Sequence, residues 1–83
     1  MKNFTILENN TDAESPMVGT INNVHTMEGF ESRFSQALKE HFDAINIIGY
    51  DLPDLFDGSP YYDVVVEVDG IFYEVRILET WNY

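Results

Sequence analysis

Cysteine is missing from the chain altogether, and basic residues are scarce. With no thiol among 83 residues there is neither a disulfide framework nor a thiolate metal site, and no cysteine nucleophile. Four Lys and Arg stand against fifteen Asp and Glu, for a formal charge of −11. A field of that sign repels nucleic acid and anionic membranes, so direct binding to either is not expected. Runs without a polar residue are only a few residues long, far short of a membrane span. Lys2 is followed by Asn3, Thr5 and Glu8, which break any apolar leader, so a cytoplasmic location is the expectation.

The motifs of catalysis and cofactor binding are missing as well. There is no G-x-S-x-G elbow, H-E-x-x-H pair, P-loop or dinucleotide glycine pattern. His25 and His41 are the only nitrogen ligands, sixteen residues apart. His41 sits where a helix ends and reads as a capping or boundary residue, not a general base. The run Asp51-x-x-Asp54-x-x-Asp57-Gly58 invites a calcium reading. It lacks the alternate-residue spacing of an EF-hand loop, and Tyr62 stands where the bidentate Glu is required. Carboxylates in such a run are turn and cap formers. The expectation is a protein without catalytic residues, metal or cofactor, and not an enzyme.

What is present is clearest in residues 61–83. YYDVVVEV and IFYEVRIL are strand-like runs split by Asp69-Gly70, a dipeptide that favours a type I′ hairpin turn. A two-residue turn sets Val68 opposite Ile71, Val66 opposite Tyr73, Val64 opposite Val75 and Tyr62 opposite Ile77. Side chains alternate along a strand, so these eight share one apolar face. The other face carries Tyr61, Asp63, Val65, Glu67, Phe72, Glu74, Arg76 and Leu78, with Asp63 opposite Arg76. A register slip of one residue would mix the two faces.

Upstream, residues 3–8 alternate weakly and suit a first strand, and residues 17–24 a second, with a polar, mobile loop between them. Met27, Phe30, Phe34, Leu38 and Phe42 recur at spacings of three and four, which predicts an amphipathic helix from Met27 to about Ala44. Thr26 is its N-cap, Glu28 and Glu31 lie in its first turn, and Lys39 and His41 near its end. The β-branched cluster Ile45, Ile47 and Ile48 predicts a strand through Tyr50. Asp51 to Pro60 is a connection, with Asp51 as cap of one short turn.

These elements predict a single α+β domain over residues 1–83. Its parts are an antiparallel sheet of four or five strands, one main helix packed on one face, and a C-terminal β-hairpin. The expected core is Phe4, Ile6, Ile21, Phe30, Phe34, Leu38, Phe42, Ile45, Tyr62, Val64, Val66, Val68, Ile71, Tyr73, Val75 and Ile77. The hairpin's outer face is left either as a working surface or as one covered by the N-terminal loop or by Trp81 and Tyr83.

From Glu40 to Val75 there are nine carboxylates and no Lys or Arg. Together with the outer face this suggests an acidic protein-binding module, an inhibitor or immunity-type protein that docks on a basic protein surface. In its sharpest form it would mimic nucleic acid, with carboxylates where phosphates would lie. The candidate contact residues are Asp51, Asp54, Asp57, Tyr61, Asp63, Glu67, Asp69, Phe72 and Glu74. The alternative is a structural or homo-oligomerising domain, such as a homodimer, whose acidity only keeps it soluble.

Overall fold

A computed structural model describes residues 2–9, 16–48 and 50–80, the side chain of Ile48 excepted. The expected N-terminal loop lies largely outside these residues, as do Trp81 and Tyr83, so the expected cover for the outer face falls there too.

Two strands open the chain, β1 (Lys2–Glu8) and β2 (Met17–Val24). Helix α1 (Met27–Phe42) follows, then a two-residue strand β3 (Ile47–Ile48). The hairpin β4 (Tyr61–Val68) and β5 (Ile71–Thr80) completes the order. The sheet runs β2-β1-β5-β4-β3 with every neighbouring pair antiparallel. The last strand in sequence is thus the central one, and Ile6 of β1 pairs with Ile77 of β5. This is the expected α+β arrangement.

The hairpin register is the one that alternation and the turn dictate: Tyr62↔Ile77, Val64↔Val75, Val66↔Tyr73 and Val68↔Ile71. Asp69 and Gly70 both take positive φ, 48° and 86°, as a type I′ turn demands. Glycine suits the second position because it has no Cβ to clash there.

The helix starts where expected. Thr26 is extended, and its hydroxyl accepts a hydrogen bond from the Gly29 amide at 3.1 Å. Phe30, Phe34 and Leu38 are buried on the sheet, and Phe30 meets Phe4 edge-on with centroids 5.2 Å apart. Burying each such ring stabilises the fold by roughly 2–3 kcal/mol. The helix backbone runs nearest to β2, where Gly19 faces the Cβ of Ala37. Over the hairpin the covering is done by side chains and loop. Phe42 lies tilted against Tyr73 with centroids 4.5 Å apart, Tyr50 meets Phe34 edge-on at 5.5 Å, and Leu55 is fully buried.

Several expectations are corrected. The helix stops at Phe42, not near Ala44, because Asp43 turns left-handed (φ 51°) and the chain leaves the axis. Ile45, expected in the core, is therefore 84% exposed. Ile71, also expected there, is 58% exposed where β5 leaves the turn, although Val68 opposite it is buried. The strand expected through Tyr50 shrinks to Ile47–Ile48, paired with Val68 and Glu67. Phe42 and Tyr73, also expected in the core, are partly buried, and Val24 and Leu55 complete it.

The connection before β4 is organised by Asp54 and Asp57 and not by Asp51. Asp54 accepts from the Phe56 amide and Asp57 from the Ser59 amide, each at 3.0 Å, two local turns that fold the segment back on itself.

Candidate functional site

Helix α1 covers one face of the sheet. Among the described residues no element covers the other. Its cross-strand rows on the hairpin are Tyr61↔Leu78, Asp63↔Arg76, Val65↔Glu74 and Glu67↔Phe72. Beside them β1 contributes Thr5 opposite Leu78 and Leu7 opposite Arg76. Tyr61, Val65 and Phe72 are 48%, 51% and 67% exposed, far more than their buried neighbours on the same strands. Alternation places them there, and nothing in the described chain folds back over them.

Five of the nine candidate contact residues meet on this face: Tyr61, Asp63, Glu67, Phe72 and Glu74. The other four do not join them. Asp57 receives the hydroxyl hydrogen bond of Tyr62, whose ring belongs to the helix-covered face, so Asp57 stands on that side of the sheet. Asp54 is engaged in its own turn, and Asp51 is exposed in the same loop. Asp69 lies in the hairpin turn and ties it to the helix-β3 connection, exchanging hydrogen bonds with the Asn46 backbone at 3.1 Å in both directions. Turn chemistry therefore accounts for Asp54, Asp57 and Asp69.

The hydrogen bond from Tyr62 holds the Asp57 carboxyl below the usual carboxylate range. Burial of Tyr62, with this same bond next, pushes its phenol above the ordinary value. Each group favours the protonation state that keeps the bond.

On the open face the charges are unevenly answered. Arg76 donates twice to Asp63, Nε at 2.8 Å and Nη2 at 3.2 Å, a fork that fits a carboxylate. Its guanidinium also lies over the Tyr61 ring, 4.5 Å from the centroid. The bond to Asp63 raises the Arg76 pKa further above its ordinary value. Among the described residues the Glu74 carboxylate accepts only from the neutral side-chain amide of Asn9, which also reaches Asp63 at 3.4 Å. Glu67 and Glu74 make no direct ion pair among the described residues, although the Glu74 charge helps to hold the proton on Arg76, two residues along β5. Asn9 carried no signal in the sequence, where it heads a polar turn run; only the pairing of β1 beside β5 brings it here.

Lys2, Arg33 and His41 are engaged at the covered face and its rim. Lys2 pairs with Glu79 at 3.1 Å and lies over Phe56. Arg33 donates to the carbonyls of Asn22 and Asn23 at the end of β2. His41 Nε2 meets Glu8 Oε2 at 2.8 Å and so ties the last helical turn to β1. His41 is thus a boundary residue between two elements. Among the described residues no three His, Asp or Glu side chains converge as metal ligands, and no helix is long and apolar enough to cross a membrane.

Fold and face together define an α+β protein whose antiparallel sheet has one helix-covered side and, among the described residues, one open side that is acidic and aromatic. No family model matches the chain, and neither a curated protein nor a solved structure matches it.

Proposed function

We propose that the protein is an acidic binding module which docks its open sheet face onto a basic surface of another protein in the cytoplasm. The observation that carries this reading is the exposure of Tyr61, Val65 and Phe72 among Asp63, Glu67 and Glu74 on one face of the hairpin. Aromatic side chains are enriched at protein interfaces because they bury a large area at little entropic cost. The surrounding carboxylates would steer a basic partner in and set its orientation. An inhibitor of a nucleic-acid-binding protein is the form of this function that best uses such charge. Its mimicry would be partial, because Val65 separates Asp63 from Glu67 on their strand and Arg76 interrupts the acids of β5.

Self-association through the same face is disfavoured by charge, since two copies would bring Glu67 and Glu74 against like groups. The test is a protein captured from the host at low salt and released at high salt. Reversing Asp63, Glu67 and Glu74 together to Lys abolishes its binding on this reading. Reversing Glu28, Glu31 and Glu40 on the helix changes net charge equally and leaves most of the affinity. Equal losses from both triples would mean that only net charge matters. A dimer that persists or strengthens at high salt, with no partner captured, would favour the oligomerising alternative.

A further inference from the structure

The open face contains two four-residue squares that each set an aromatic ring beside acid, and only the first also contains a cation. In the first, Tyr61 and Asp63 on β4 face Leu78 and Arg76 on β5. The Arg76 guanidinium closes it, stacked over the Tyr61 ring and forked onto Asp63. In the second, Val65 and Glu67 face Glu74 and Phe72. Here again an aromatic ring lies beside carboxylates, but the square contains no cation.

We infer that the second square is a receptor for an arginine side chain of the basic partner. This deepens the docking function proposed above and rests on it. Glu67 is directly opposite Phe72, which puts their Cβ atoms about 4.5–5.5 Å apart. Glu74 is two residues along the strand, about 6.7 Å away. Two carboxylates therefore bracket one ring, at distances that let a planar guanidinium lie on the ring and donate to both. Phe72 is the most exposed aromatic side chain of the face at 67%, so the ring is open to a ligand from solvent. Asn9 steadies the Glu74 carboxylate without neutralising it. Arginine suits this site better than lysine, because its flat, weakly hydrated head stacks and forks at once whereas an ammonium is a strongly hydrated point charge.

The experiment compares nona-arginine with nona-lysine peptides on the intact protein at physiological ionic strength, with amide chemical shifts used to locate each. Nona-arginine binds about threefold tighter or more, and its shifts centre on Glu67, Phe72 and Glu74. Phe72→Ala, at an exposed position that folding does not need, brings the two affinities together and leaves that of nona-lysine unchanged. Phe72→Trp keeps or enlarges the preference. Arg76→Ala opens the first square and adds a second arginine-selective site. Equal affinity for the two peptides, or a preference that survives Phe72→Ala, overturns the arginine receptor and leaves the acidic docking face standing. Failure of both peptides to bind overturns the receptor and the docking face together.

Discussion

Val65 and Val66 are neighbours on one strand, yet one is 51% exposed and the other fully buried. The contrast extends over the whole hairpin. On one side Val64, Val66 and Val68 of β4 are buried in one cluster with Phe34, Leu38 and Leu55; on the other, aromatic rings and carboxylates share a surface that nothing covers among the described residues. Residues of the same type, one peptide bond apart, thus do different work. The covered side is accounted for by packing. The open side carries large apolar groups that no packing among the described residues accounts for.

The largest expected effect breaks the covered side. Phe34→Ala removes a fully buried ring and costs about 3–5 kcal/mol, whereas Phe72→Ala stays within about 0.5 kcal/mol of the parent, both read by urea unfolding. Leu55→Ala costs about 2–5 kcal/mol and tests whether the loop before β4 belongs to the core. A finer comparison is Val66→Ala against Val65→Ala, about 2 kcal/mol against less than about 0.5. Similar losses within either pair would mean that both faces are buried in solution. Thr26→Ala costs about 1 kcal/mol through the lost cap and leaves the open face untouched, which spectra of the hairpin amides will check.

The smallest effect is a pH dependence confined to the covered side. The folded-state pKa of Asp57 is depressed, so its contribution to stability is present above the ordinary value of 3.8 and is lost as pH falls through the folded value. That of Tyr62 is raised, so its contribution is present below 10.0 and is lost as pH rises through the folded value. The Tyr62–Asp57 bond thus stands across the neutral range and fails at both ends. Tyr62→Phe removes this part of the pH dependence, and unfolding midpoints measured across both limbs test it. Limbs of unchanged steepness would show that the bond adds nothing.

Most of the covered side could be read from the sequence. The hairpin pairing is legible because a period of two and an Asp-Gly turn allow only one register that keeps eight apolar residues together. The helix start is legible from Thr26 and the stripe that follows. Its end is not, because the stripe runs on into Ile45 and Ile48, and nothing in the local pattern forces Asp43 into the left-handed region. Leu55 escapes notice for the opposite reason: it lies among aspartates and a proline, where no periodicity marks a buried residue, and only the fold-back of the loop brings it inside. Of the candidate contact residues, those on the hairpin could be assigned to one surface because strand alternation is strict. The loop acids could not, since a turn-forming aspartate and a partner-seeking one look alike in sequence.

The position of β5 has a consequence for how the protein is made. Because the last strand lies between β1 and β4, the sheet stays in two separate pieces until Thr80 has left the ribosome. Phe4 must then wait for Glu79, a contact that closes almost the whole chain and makes the topology a slow one to assemble. Until then β1 offers a bare edge, and the segment between carries like charge on every unfinished chain. That charge keeps unfinished chains apart while the central place in the sheet is still empty.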